Sequence, residues 1–207
     1  MSSGRYARRG TTGGVQVEFH EKAPPVPTDG LFFALFPDAA AVEAIVDIQR
    51  QLVDAHELSG RPIAPERLHV TLQHLGDFAG LPSGLVTSAE RAAASLRASG
   101  FEIHFDQAGS FASRRRQCPC VLTCSDAGDE PGIHDFQRVL TNALLREGID
   151  LPDPGRFTPH VTLLYDRHPL ETTAIKPLGW LAREFVLIQS LLGQTRHIVL
   201  GRWSLTA

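Results

Sequence analysis

Hydrophobic positions along the chain fall into short, separated blocks whose spacing predicts strands and helices in turn. Leu31-Phe32-Phe33-Ala34-Leu35-Phe36 is an unbroken apolar run of strand length and reads as a buried strand. Pro37-Asp38 follows, with Asp38 placed to cap a helix. Ile45, Ile48 and Leu52 then recur at helical spacing until Gly60 and Pro62 close the segment. A strand is predicted over 69–75, ending at Gly76, and a second helix over 83–98, stopped by Gly100. Residues 101–106 alternate apolar and polar, the pattern of a strand with one wet face. Another strand is expected over 119–124. The clearest helix is 132–147, where Phe136, Val139, Leu140, Ala143 and Leu144 share one face and Gly148 stands as the stop. Strands at 160–165, 184–191 and 197–205 complete the pattern, the last two joined by a turn at Gly193. Helices this few and this far apart do not build a doubly wound parallel sheet. An α+β fold with mainly antiparallel sheets is expected.

Composition narrows the class. Apolar residues make up 43% of the 207 and charged residues 21%, as in an ordinary soluble globular protein. No apolar run approaches the roughly 20 residues of a membrane span, so no membrane partner is expected. The formal charge of −3 excludes a protein that grips duplex nucleic acid mainly by bulk positive charge, but leaves room for a small basic site for one phosphate. Three cysteines cannot make a disulfide framework. Residues 1–29 are rich in Gly, Arg, Pro and Thr, and Pro24-Pro25-Val26-Pro27 bars a helix. They read as a flexible extension, with a strand hinted only at Val15-Gln16-Val17-Glu18-Phe19, and residues 30–207 as a single domain. The extension has no apolar signal core, which points to the cytoplasm.

Chemistry enters through an internal echo. His69-Val70-Thr71-Leu72 and His160-Val161-Thr162-Leu163 are the same tetrapeptide, each in an expected strand and each preceded by an expected helix. Strand periodicity sets His and Thr of each copy on one face, about 6–7 Å apart, with Val and Leu on the other. Two such strands around an approximate twofold axis bring two imidazoles and two hydroxyls to one cleft. That set suits a phosphodiester: one histidine takes a proton from attacking water, the other gives one to the leaving oxygen. The threonines donate hydrogen bonds to the non-bridging oxygens. An unperturbed pKa of about 6.5 lets both protonation states of histidine coexist near neutrality, and the scheme needs no metal or cofactor. From these residues alone the two half-sites are symmetric and their roles unassigned.

With these motifs the chain resembles the bacterial RNA 2′,3′-cyclic phosphodiesterases, the 2′-5′ RNA ligase family of the two-histidine phosphoesterases. The resemblance runs from Leu31 nearly to Ala207. It rests on Leu31-Phe32-Phe33-Ala34-Leu35, on Gly60-Arg61-Pro62 leading into Leu68-His69-Val70-Thr71-Leu72, and on Leu75-Gly76. Phe157-Thr158-Pro159-His160-Val161-Thr162-Leu163, Glu184-Phe185 and Arg202-Trp203-Ser204-Leu205 continue it. It implies a bilobal fold, two antiparallel sheets facing each other across a cleft with helices outside. It also implies metal-independent opening of 2′,3′-cyclic phosphates to 2′-phosphates, with the same residues able to run the reverse 2′-5′ ligation. His69 becomes the proton donor and His160 the acceptor, with Thr71 and Thr162 beside them. RNA ends or small cyclic-phosphate nucleotides are the expected partners of a monomeric enzyme. Family members often carry Arg three residues after the second Thr, where this chain has Tyr165. Arg167, two residues on, is the candidate to supply that charge.

Further candidates surround this core. Gln73 shares the face of His69 and Thr71 on a straight strand, and divides evenly between lining the cleft and ending the strand. His74 is expected on the opposite face, structural or at the surface. Phe33 stands among the substrate-binding candidates as a base-stacking ring, against the commoner role of core packing. Arg115, within Arg114-Arg115-Arg116, is a candidate for the RNA backbone if that run borders the cleft, against an ordinary solvated turn. Cys118, Cys120 and Cys124 share one strand face and could be read as a metal site, though buried free thiols are common. Asp126, Asp129 and Glu130 read as an acidic loop. The alternatives to the leading function are hydrolysis of another phosphodiester, such as a cyclic nucleotide derivative or a 2′-5′ oligonucleotide, and non-catalytic binding of RNA ends.

Overall fold

The computed structural model describes residues 25–113, 116–125, 131–152 and 157–206. The strand hinted at 15–19, the acidic loop residues Asp126, Asp129 and Glu130, and Arg115 lie outside them. Among the described residues eight strands and three α-helices follow in the order β1 (Asp29–Leu35), α1 (Ala39–His56), β2 (Val70–Phe78), α2 (Ser83–Ala94), β3 (Phe101–Ser110) and β4 (Cys118–Thr123). Then come α3 (Pro131–Arg146), β5 (Val161–Asp166), β6 (Thr173–Ala182), β7 (Glu184–Leu191) and β8 (Arg196–Ser204). Asp38 caps α1 as expected, its Oδ1 accepting from Ala41 N at 2.9 Å. The helix ends at Glu57 in a left-handed conformation, three residues before Gly60. Gly193, with φ +77, makes the turn between β7 and β8.

The strands form one antiparallel sheet ordered β6-β3-β4-β5-β2-β1-β7-β8. The two sheets implied by the resemblance are its halves. They are joined through β2 and β5 by a single residue pair, Val70 with Val161. So narrow a seam leaves the halves free to diverge by their twist on either side of it. Two helices cross the seam: α1, which precedes β2, packs behind β5 and reaches β6, while α3, which precedes β5, packs behind β2 as well as β3 of its own half. Their apolar faces, including Ile45, Ile48 and Leu52 of α1 and Phe136, Leu140 and Leu144 of α3, bury against one continuous core.

β6 is the one strand not anticipated. Pro177 and Gly179 within it argue against a central strand, but β6 lies at the sheet edge, where a missing N–H costs no ladder bond. Gly179 is required there, because a Cβ would stand 2.4 Å from the Ile103 carbonyl oxygen of β3. The fold also begins slightly before residue 30. Asp29 is buried in β1 and accepts from Thr28 Oγ1 and Gln189 Nε2, both at 2.6 Å, and Thr28 N donates to Phe78 O. No helix among the described residues is long and apolar enough to cross a membrane.

Candidate active site

The two repeated tetrapeptides meet at the seam. Val70 and Val161 are paired and fully buried on the helix side, so their neighbours point to the other face. Extending that register by one residue sets His69 across from Thr162 and Thr71 across from His160, at cross-strand spacing of about 4.5–5.5 Å. Each histidine thus stands beside the threonine of the other copy. Thr71 and His160 line a common cavity of about 560 Å3 with Phe111, Phe157 and Thr158.

Both rings are held in the same way. His69 Nδ1 lies 2.7 Å from the Arg67 carbonyl oxygen and His160 Nδ1 2.8 Å from that of Thr158. A carbonyl only accepts, so each Nδ1 carries its proton and each Nε2 is left to gain or lose one. Neither threonine hydroxyl has a hydrogen-bond partner among the described residues, so both are available as donors.

The half-sites differ in what packs on them. Phe32 stacks on His69 with centroids 5.1 Å apart, and His197 meets His69 edge-on at 5.3 Å. Burial pushes the His69 pKa below 6.5; the hydrogen bond to Arg67 opposes this, and positive charge on His160 and Arg67 adds to it. His197 is pushed down to about 4, first by burial and then by the charges of His69 and Arg67, so it is neutral at neutral pH. His160 instead meets Phe111 edge-on at 5.0 Å. The lowering makes the His69 imidazolium more acidic and leaves less of it at neutral pH.

A model of the 2′-5′ RNA ligase superfamily matches residues 36–191, well over half of the chain. The chain belongs to that superfamily. It is 29% identical over 182 residues to the RNA 2′,3′-cyclic phosphodiesterase of Escherichia coli (strain K12), a match covering 85% of this chain and 96% of that one. The crystal structure of E. coli LigT in apo form is similar with a TM-score of 0.68 at 26% identity, covering 88% of this chain and 100% of LigT. LigT complexed with 3′-AMP gives 0.66 at 27% identity and the same coverage. TT0787 of Thermus thermophilus shares the fold, with a TM-score of 0.69 at 21% identity over 85% of this chain and 97% of that one.

In this member of the superfamily a bulge follows each motif threonine. Leu72 is the extra residue on β2, where Thr71 pairs with Ala34 and Gln73 with Phe33. Leu163 is its counterpart on β5, where Thr162 pairs with Val121 and Leu164 with Cys120. A bulge turns every later side chain to the other face, which corrects several expectations. Gln73 does not share the strand face of Thr71, yet it lines the same cavity as Thr71 and His160, one of the two roles expected for it. It is buried beside Phe33, and its Oε1 accepts from Thr141 Oγ1 at 3.1 Å and Gln137 Nε2 at 3.3 Å, tying β2 to α3. The Gln73→Leu variant should therefore lose about 1–2 kcal/mol of stability, by leaving those donors unpaired, and should also raise KM, because Gln73 lines the cavity of Thr71 and His160. Thermal unfolding and steady-state kinetics on one preparation check both.

His74 moves the opposite way, to the cleft side, paired with Phe32 and 3.5 Å from Asp77 Oδ1. Tyr165 likewise emerges beside Thr162 and is 46% exposed. Phe33 cannot stack on a base, because it is fully buried against Phe185 and Trp203; Phe32 is the ring in the cleft. Arg167 is exposed and lies beyond β5, because Asp166 Oδ1 accepts from His168 N at 2.9 Å and turns the chain before it. It lines neither cavity beside His160. Cys120 is a core residue whose thiol is pushed up to about 11, by burial first and the Asp166 charge second.

Phe32, Phe111 and His197 escaped the sequence reading. The run 31–36 is apolar on both faces, so its pattern does not say which phenylalanine faces the cleft. His197 reaches His69 only through the register of β8 on β7 and β7 on β1, which no local signal encodes.

Proposed function

We propose that the protein is a metal-independent RNA 2′,3′-cyclic phosphodiesterase that opens the cyclic phosphate to a 2′-phosphate. The observation carrying this reading is the pair of imidazoles, each fixed through Nδ1 to a backbone carbonyl and each set across from the other motif's threonine. His160 Nε2 takes a proton from water as its oxygen bonds to phosphorus. The bond from phosphorus to the 3′ oxygen breaks, and His69 gives that oxygen its proton. One proton enters the site and one leaves, so the pair is reset by a proton passing back through solvent. Thr71 and Thr162 donate to the non-bridging oxygens, where charge accumulates in the transition state. The E. coli relative, named for the same reaction, supports the substrate class. Both half-sites come from one chain, so a monomer suffices, and residues 28–206 act as one catalytic domain.

The four nucleoside 2′,3′-cyclic monophosphates, incubated with the protein in excess EDTA, should each yield the 2′-phosphate by chromatography. Formation of 3′-phosphates would exchange the leaving oxygen. Inhibition by EDTA would overturn the metal-independent scheme.

A further inference from the structure

The cleft continues past His160. A second cavity of about 540 Å3, within the size range of small-molecule sites, opens between the end of β3 and the start of β4, with Phe111 as a wall common to both. Phe111 is the ring that meets His160 at 5.0 Å, so the new cavity begins one side chain from the reacting centre. Tyr165 lines it opposite Pro119, its partner on β4. The bulge at Leu163 is what turns this ring out of the core. Arg116 also lines the cavity, is exposed, and has no carboxylate partner among the described residues. Among the described residues, no acidic side chain lines it.

Aromatic faces beside an unpaired guanidinium are what a single-stranded nucleotide needs: stacking for the base, a fixed charge for the phosphodiester. Polarity follows from the substrate. A 2′,3′-cyclic phosphate uses both lower oxygens of its ribose, so the RNA can leave the site only through the 5′ oxygen. Resting on the function proposed above, we infer that this second cavity is the subsite for the nucleotide on the 5′ side of the cyclic phosphate, its base on Tyr165 and its phosphodiester on Arg116. RNA ends of two or more nucleotides are then preferred over cyclic mononucleotides.

The test compares kcat/KM for a dinucleotide ending in a 2′,3′-cyclic phosphate with that for the matching cyclic mononucleotide, from about 50 to 200 mM salt. A preference of about tenfold or more for the dinucleotide is expected, the scale of one stacked base. Tyr165→Ala should bring the ratio close to one while Tyr165→Phe keeps it. Arg116→Gln should flatten the salt dependence on the dinucleotide. Equal values for the two substrates in the wild type would overturn the subsite and leave the reaction standing. A preference that survives Tyr165→Ala would remove it from this cavity, and turnover of neither substrate would refute reaction and subsite together.

Discussion

Turnover of 2′,3′-cyclic nucleotides should fall about 10²- to 10⁴-fold in His160→Ala, and by a similar factor in His69→Ala, with circular dichroism unchanged in both. Each substitution removes one proton-transfer partner, and this range is what a positioned acid or base contributes. The histidines act in one step, so the double variant should lose little more than either single variant. Loss that multiplied would mean that they act independently. The choice of leaving group separates the two roles. On a phosphodiester with a nitrophenolate leaving group, which departs without a proton, His69→Ala should recover most of its loss and His160→Ala should not. Rescue of His160→Ala alone would exchange acid and base. The lowered pKa of His69 fits the donor role by making its imidazolium readier to give the proton up, while reducing the fraction of enzyme that holds it at neutral pH.

The reacting groups were legible because they repeat. Two copies of a four-residue motif in matching contexts survive without knowledge of tertiary structure, and a strand's period of two gives each copy its polar face. The helices were legible for a similar reason: the apolar stripe of α3 is intrinsic to its own residues. What the pattern did not encode is register. The bulges at Leu72 and Leu163 break the alternation that placed Gln73 beside Thr71 and His74 away from it. Both bulges sit where the opposite helix reaches the strand. Gln49 of α1 donates to the Leu163 carbonyl at 2.9 Å, and Ile63 N donates to the same oxygen at 2.7 Å. On β2, the flipped Gln73 is received by Gln137 and Thr141 of α3. The contacts that shape each half-site therefore come from residues distant in sequence, and the substrate-facing shell is set by them. Arg167 failed as a candidate for a neighbouring reason, since the turn built on Asp166 ends the strand that was to carry it.

That turn is also the basis of the largest expected effect on stability. Asp166→Ala should lower stability by about 2–4 kcal/mol, a fall in Tm of about 5–15 °C for a chain of this size. The carboxylate is 1% exposed and gathers the loop after α1 onto the end of β5. Oδ2 accepts from Gly60 N at 2.6 Å, from Ser59 N at 2.7 Å and from Ser59 Oγ at 3.2 Å, and Oδ1 accepts from His168 N. Truncation leaves four hydrogen-bond donors without the carboxylate that gathers them. Gly60 has no room to adjust, because a Cβ there would stand 2.2 Å from the Tyr165 carbonyl oxygen. The hydrogen bond from His168 N, followed by those from Gly60 and Ser59, holds the Asp166 carboxyl at about 2 against the opposing effect of burial. In the unfolded chain the same group has its ordinary value near 3.8. The unfolded state therefore takes up the proton first as pH falls. The stabilisation is complete above about pH 4 and is lost between there and pH 2. Asp166→Asn, which keeps one acceptor oxygen and cannot ionise, should lose less than the alanine variant at pH 7 and should show a shallower fall in Tm between pH 4 and 2 than the wild type. An equally steep acid limb in Asp166→Asn would assign the acid sensitivity to other carboxylates. Because Tyr165 rides on the same strand end, loosening this anchor should also blunt any preference for dinucleotide substrates, at temperatures where the protein is still folded.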